Sequence, residues 1–79
     1  MIRERTVEIS FIYKGKLEKR IIWKMHINTY AVQNFYRIPG KRVNYDIYKF
    51  EGVWRNMDKP GLSDELLQLL GGAIDEAEK

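Results

Sequence analysis

Residues 5–27 read RTVEISFIYKGKLEKRIIWKMHI. They contain two runs in which apolar and polar side chains alternate, and the runs meet at Gly15. In the first run, Val7, Ile9 and Phe11 share one parity, and the other parity is mostly polar. A period of two in β-branched and aromatic residues is typical of a half-buried strand. Residues 17–27 repeat the pattern, so this stretch predicts an antiparallel hairpin.

The length of the hairpin loop is predicted from parity. A three-residue loop over residues 13–15, with Gly15 in the left-handed conformation, pairs odd positions with odd positions. Such pairing places the apolar residues of both strands on one face, whereas a two-residue loop would separate Phe11 from its apolar partners. We therefore expect the three-residue loop. The side chains that it directs from the second strand to the core are Leu17, Ile21, Trp23, Met25 and Ile27.

The next segments predict two more strands joined by a turn. Residues 30–38 fit neither period well. We expect a loop or a single helical turn near residues 29–33, and then a strand over residues 34–38. Pro39 and Gly40 predict a type II turn, because proline presets φ at the first central position and glycine accepts a positive φ at the second. Residues 43–48 then alternate as a fourth strand.

The end of the sheet has two interpretations. Phe50 and Trp54 lie on the opposite parity from Tyr45. Either Glu51 and Gly52 form a turn before a short last strand, or a bulge switches the facing of the chain. We favour the turn.

An amphipathic helix is predicted over residues 63–78. Ser63 is a favourable N-cap, and the two acidic residues that follow it complement the positive end of the helix dipole. Gly71 and Gly72 are unfavourable inside a helix, so the helix either breaks there or approaches the sheet closely. The apolar residues at helical spacing are Leu66, Leu70, Ala73, Ile74 and Ala77.

These elements predict an α+β fold, an antiparallel β-meander of four or five strands followed by one C-terminal amphipathic helix packed on one face of the sheet. We expect a single domain over residues 1–79, with the sheet in 5–56, a connecting loop in 57–62 and the helix in 63–78. A chain of 79 residues is short for two ordinary domains. It contains no cysteine, so a small apolar core stabilises it without disulfides.

No constellation of residues indicates catalysis or metal binding. A set of Ser10, His26 and an acid, Asp46 or Glu8, can be written down, but nothing in the spacing requires it. One histidine and no cysteine exclude the common zinc sets within one chain, and no loop resembles a calcium site. The Gly71 region lacks a phosphate-binding glycine pattern. We therefore expect no enzyme, no cofactor and no metal.

Charge is uneven along the chain. Residues 1–60 carry thirteen Lys and Arg against six Asp and Glu, and residues 61–79 carry one Lys against five acids. Residues 1–60 therefore form a basic body with a charge of +7, and residues 61–79 form an acidic segment with a charge of −4, which together give the net charge of +3. Either the acidic segment lies beside the basic body and neutralises it, or the basic surface meets an anionic partner such as nucleic acid.

The favoured functional hypothesis is a small non-catalytic protein-interaction or self-associating module. One helix covers one face of a sheet, and exposed apolar residues on the other face indicate an interface with a protein partner or a second copy. Dimerisation would also stabilise so small a chain. The candidate interface residues, on the parity assigned outward, are Ile12, Ile22, Tyr48 and Phe50.

Nucleic-acid binding is the alternative hypothesis. Basic turns beside exposed aromatic side chains hold single strands through phosphate neutralisation and base stacking. The stacking candidates are Tyr13, Tyr30, Tyr36, Tyr48 and Trp54. The basic candidates are Lys14, Lys16, Lys19, Arg20, Arg37, Lys41, Arg42 and Arg55. The aromatic signature of the RNA-recognition motif is missing.

The hydropathy pattern predicts a soluble protein. No uncharged stretch approaches the ~18 apolar residues that a membrane-spanning helix needs. The chain does not open with a basic segment followed by an apolar run and a cleavage site, the pattern of a secretory signal. We therefore expect a cytoplasmic protein without a membrane partner.

Overall fold

A computed structural model describes residues 2–26, 34–59 and 61–79. The described residues form five strands and one helix, namely β1 (Ile2–Tyr13), β2 (Lys16–His26), β3 (Asn34–Ile38), β4 (Tyr45–Phe50), β5 (Val53–Asn56) and α1 (Asp64–Ala77). The strands form one antiparallel sheet in the order β1-β2-β3-β4-β5, and α1 packs on one face of it. This confirms the predicted α+β meander. Ile27 and the loop expected over 29–33 lie outside the described residues.

The β1–β2 hairpin closes through a two-residue turn, so the predicted three-residue loop is wrong. Lys14 and Gly15 have φ of 52° and 78°, the positive values that a type I′ turn requires. Tyr13 pairs directly with Lys16, and odd positions of β1 oppose even positions of β2 from there to Arg5. The prediction failed because it reserved the left-handed conformation for glycine, whereas the lysine before it adopts that conformation too.

This register reverses the facing predicted for β2. Val7 pairs with Ile22, and both side chains are buried in the core. Ile22 is 0% exposed, so it is a core residue and cannot line the interface for which it was a candidate. Leu17 and Ile21, which were predicted to face the core, are 60% and 61% exposed.

The two faces of the sheet differ in their cover. The face that packs against α1 is lined by the buried side chains of Val7, Ile9, Ile22, Ile38, Ile47 and Trp54. The opposite face, here called the open face, carries Thr6, Glu8, Ser10, Ile12, Leu17, Lys19, Ile21, Trp23, Met25, Phe35, Arg37, Asp46, Tyr48, Phe50, Val53 and Arg55. Met25 and Phe35 oppose each other there and are themselves buried.

Helix α1 begins where the sequence predicts. The Ser63 hydroxyl accepts a hydrogen bond from the Leu66 backbone N–H at 3.3 Å, which confirms the N-cap. The helix continues through both glycines, and a Cβ on Gly71 would lie 2.3 Å from the Trp54 ring. The glycine therefore permits a close approach to the sheet. The buried residues of the helix are Leu67, Leu70, Gly71, Ala73 and Ile74, whereas Ala77, predicted to face the sheet, is exposed.

One of the two later turn predictions is confirmed and the other is wrong. Glu51 and Gly52 have φ of 52° and 79° and form a two-residue turn before β5, as favoured. Gly40 has no positive φ, so the type II turn is not formed. Residues 39–44 instead form a longer connection, in which a Cβ on Gly40 would lie 2.3 Å from the carbonyl oxygen of Val43.

The two helical glycines give a matched pair of substitutions. Gly71→Ala should lower the free energy of unfolding by about 1–3 kcal/mol, because the added methyl group overlaps the Trp54 ring. Gly72→Ala meets no atom within 4 Å and should raise it by about 0.5–1 kcal/mol through the backbone entropy of the unfolded chain. Urea unfolding followed by tryptophan fluorescence measures both. Equal effects of the two substitutions would contradict the close packing at Gly71.

Candidate interaction surface

The end of the β1–β2 hairpin projects beyond the rest of the sheet. β1 pairs with β2 as far as the turn, but β3 pairs with β2 only along residues 23–26. Residues 10–21, here called the arm, therefore form a two-stranded extension of the sheet. Its side chains on the open face are Ser10, Ile12, Leu17, Lys19 and Ile21.

Exposed apolar side chains are concentrated on the open face. Among the described residues, the large exposed apolar side chains are Ile12, Leu17, Ile21, Val43, Phe50 and Val53. Every one except Val43, which lies in the 39–44 connection, belongs to the open face. Three lie on the arm, where Ile12 opposes Leu17. Phe50 and Val53 form a second opposed pair at the β4–β5 turn.

Of the four predicted interface residues, Ile22 lies in the core and the other three lie on the open face. Ile12 and Phe50 are exposed on the open face, and Tyr48 is half-buried there. Leu17 and Ile21 were missed, because the wrong loop length assigned them to the core. An X-Gly pair between two alternating runs also suits a two-residue turn, and this feature could have identified them.

An ion pair occupies the centre of the open face. Arg37 and Asp46 oppose each other on β3 and β4, with Nε–Oδ1 and Nη2–Oδ2 distances of 2.9 and 3.0 Å. The hydrogen bonds that Arg37 donates to the Asp46 carboxylate raise the pKa of the guanidinium. The guanidinium also lies 5.8 Å from the ring centroid of Phe35. Arg37 is thus committed to contacts within the sheet, although it was predicted as a nucleic-acid contact.

The other basic candidates gather mostly at one end of the sheet. In an antiparallel meander the β1–β2 turn and the β3–β4 connection lie at the same end. This end, here called the basic end, carries Lys14, Lys16, Lys19, Arg20, Lys41 and Arg42. Arg20 pairs with Glu18 at 3.0 Å, and the Lys14 ammonium lies 5.4 Å from the Tyr13 ring centroid. Among the described residues, no carboxylate pairs with the other five cations, Lys14, Lys16, Lys19, Lys41 and Arg42. Arg55 is exposed on β5, away from this end.

The aromatic residues predicted to stack on bases are mostly covered. Trp54 is buried, and Tyr36 lies beside it with the ring centroids 5.7 Å apart. The Tyr36 hydroxyl donates to Glu78 at 2.9 Å. Tyr13 and Tyr48 are half-buried, and Tyr30 lies outside the described residues. Few aromatic faces are therefore free to stack beside the basic residues.

The acidic segment lies against the basic body of the chain. Asp75 accepts hydrogen bonds from Lys49 Nζ at 3.0 Å and from the Trp54 indole at 3.2 Å. Glu78 accepts from Arg5, and Lys24 Nζ lies 4.0 Å away from its carboxylate. This arrangement matches the first interpretation of the charge asymmetry, in which the helix neutralises the sheet.

The candidate catalytic set is not brought together. His26 pairs with Ile2 in the ladder, whereas Ser10 lies eight residues further along β1, or about 26 Å in an extended strand. Asp46 is committed to Arg37. In the described ranges, no three His, Cys, Asp or Glu side chains are grouped so that they could hold a metal ion. Nor does any described helix have the length and apolar character to cross a membrane.

Comparisons with known proteins add no family to this description. The chain matches no protein-family model, no curated protein and no solved structure. The functional argument is therefore made from the surface chemistry of the arm and the basic end.

The contacts of Glu78 predict a loss of stability in acid. The hydrogen bond from Arg5 makes the largest contribution to lowering the pKa of Glu78 in the folded chain. The hydrogen bond from Tyr36 and the positive charge of Lys24 lower this pKa further. The unfolded chain, with a glutamate pKa of about 4.3, therefore takes up the proton first as the pH falls. The stabilisation is fully present above that value and is lost as the pH falls through the lower folded-state pKa.

Urea unfolding between pH 2 and 7 tests this expectation. Glu78→Gln should reduce the decline of the free energy of unfolding in acid relative to the wild type. Glu76→Gln is the control, because Glu76 is exposed and pairs only with Lys79 at 3.0 Å. An acid profile that Glu78→Gln leaves unchanged would contradict the assignment.

Proposed function

We propose that this protein is a non-catalytic protein-interaction module that binds its partner through the open face of the arm. The observation that carries the proposal is a group of three exposed apolar side chains on one face of a projecting hairpin, here called the apolar cluster. Ile12 and Leu17, 58% and 60% exposed, oppose each other, and Ile21, 61% exposed, follows on the other side of Lys19. Isolated exposed apolar residues are ordinary, whereas a cluster of them marks an interaction site. Fully burying each side chain would contribute about 1.5–3 kcal/mol to a complex.

The kind of side chain on the arm supports a protein partner. Aliphatic groups have no π face on which a base could stack, whereas they pack well against apolar residues of another protein. Tyr36 and Trp54, which could have stacked, belong to the helix side of the sheet. The apolar cluster is also separate from the core, so its loss need not unfold the chain.

Photo-crosslinking from the arm tests the proposal in the cell that produces the protein. With p-benzoylphenylalanine in place of Leu17, we expect a discrete adduct that protease removes and nuclease does not. The same group in place of Val43, which is exposed but off the open face, is the control. Adding Ile21→Glu should lower the adduct yield about tenfold, the effect of losing about 1.4 kcal/mol of affinity. An adduct at twice the chain mass would identify a second copy as the partner.

Two results would contradict the proposal. A yield from position 17 no higher than that from position 43 would show that the arm has no dedicated partner. A yield unchanged by Ile21→Glu would show that the apolar cluster does not carry the binding. Circular dichroism and urea unfolding of each variant establish that it is folded before the comparison is made.

A second candidate function, nucleic-acid binding, is favoured by the gathering of six cations at the basic end. Phosphate contacts made by such a cluster would give affinity that falls steeply with salt, with a slope of about −0.7 to −0.9 per contact. Five of these cations, all except Arg20, have no carboxylate partner in the part of the chain that the structure describes. The cluster could therefore neutralise phosphates without first losing an ion pair.

Fluorescence anisotropy with labelled single- and double-stranded oligonucleotides tests this second candidate. Binding should weaken strongly between about 50 and 200 mM salt, and the double substitution Lys41→Glu and Arg42→Glu should abolish it. Lys79→Glu is the control, because Lys79 is exposed at the far end of α1. Absence of binding at the lower salt would rule out this function for the basic end.

A further inference from the structure

We propose that the partner segment is an extended acidic strand that adds to the free edge of β2 along the arm. The inference rests on the proposed function and specifies the chemistry of the partner. Strand addition to an exposed sheet edge is a common mode of peptide recognition, in which backbone hydrogen bonds supply affinity and alternate side chains supply specificity.

β2 changes from an interior strand to an edge strand along its length. Its pairing with β3 ends at Trp23, opposite Arg37, while its pairing with β1 continues to Lys16. Within the described ranges, no backbone hydrogen bond joins residues 16–21 to any element other than β1. Because successive residues of an antiparallel strand direct their N–H and C=O groups to opposite sides, half of this segment presents them at the free edge. Such groups are a template for another strand.

Helix α1 contacts both outer strands of the sheet, β1 and β5. In β5 the Gln68 side chain donates a hydrogen bond to the Trp54 carbonyl at 3.2 Å, which occupies an edge acceptor. The edge of β2 along the arm has no such hydrogen bond among the described residues, and it combines free backbone groups with cationic side chains. We therefore place the added strand there.

The side chains along the edge specify an alternating apolar and acidic strand. Leu17 and Ile21 border the edge on the open face, so a strand laid beside them would place its apolar side chains there. On the opposite face it would meet Lys16, Glu18 and Arg20. Arg20 already pairs with Glu18 at 3.0 Å, so Lys16 is the residue that favours an acidic side chain. Lys19 lies between the two apolar residues of β2, and Lys41 and Arg42 lie at the same end of the sheet. This end is thus complementary to an anionic segment.

A second copy of the chain is a poor occupant of this edge. In a two-fold pairing of β2 centred on Lys19, each lysine would oppose its own copy, which is unfavourable. The turn residues 14–15 of the second copy would then reach the level of Trp23, where β3 already pairs. In this register the end of β3 therefore blocks the arm of a second molecule, whereas it admits a strand that ends beside residue 21.

The test uses the full chain and a fluorescent eight-residue peptide of alternating valine and glutamate. We expect it to bind at least about tenfold more tightly than two matched peptides, one with lysine for glutamate and one with proline for the two central valines. Lys16→Glu, on the face that meets the peptide's glutamates, should weaken binding by a similar factor, whereas Lys79→Glu should not. Amide hydrogen exchange should slow within residues 16–21 on binding and stay unchanged in β5.

Each of three results would overturn the inference. Equal binding of the proline peptide would show attraction by charge alone, without strand pairing. Slower exchange in β1, with none in residues 16–21, would place the strand at another edge. An oligonucleotide that slows exchange in residues 16–21 while the peptide does not would assign this end of the sheet to nucleic acid.

The test separates this inference from the proposed function on which it rests. If the valine–glutamate peptide fails to bind while position 17 still gives the protein adduct, the acidic strand is wrong and the interaction module stands. If both experiments fail, both proposals are wrong.

Discussion

The two-residue turn at Lys14 and Gly15 sets the register of the β1–β2 hairpin, and that register decides which apolar side chains are buried. Side chains alternate between faces at every residue, so a loop one residue longer would exchange the two faces of β2. With the observed turn, Ile22 lies in the core, whereas Leu17 and Ile21 lie on the surface. The core and the proposed binding surface therefore depend on the same local geometry.

Helix α1 shapes the chemistry of the surface that it does not cover. Its close approach at Gly71 seats the helix on the Trp54 ring and brings its acidic residues to the sheet. Asp75 and Glu78 then neutralise cations of the strands beneath them. The cations left without a carboxylate partner in the described residues are concentrated at the opposite end, near the arm. One packing contact thus influences both the stability of the fold and the sign of the charge on its free edge.

Most of the fold could be predicted, because its information is local. The turn at Glu51 and Gly52 and the cap at Ser63 follow from turn and capping chemistry, and both are confirmed. The facing of β2 was predicted wrongly, since it depends on whether the loop has two or three residues, and one residue of loop length exchanges the two faces. A single helix covers a single face, and this limit leaves Leu17 and Ile21 exposed. Of the candidate interface residues, Ile12 is accordingly exposed as expected, whereas Ile22 is buried.

The amino-acid sequence by itself determined the order of the strands and the helix, the length of most elements and the division of charge between the sheet and the helix. These properties depend on residues close together in the chain, where alternation, glycine and capping residues act directly. Only the tertiary structure decided which face of β2 is free, how far β3 extends beside it and which cations keep a carboxylate partner. Those properties depend on one residue of loop length and on contacts between distant segments, which no local pattern encodes.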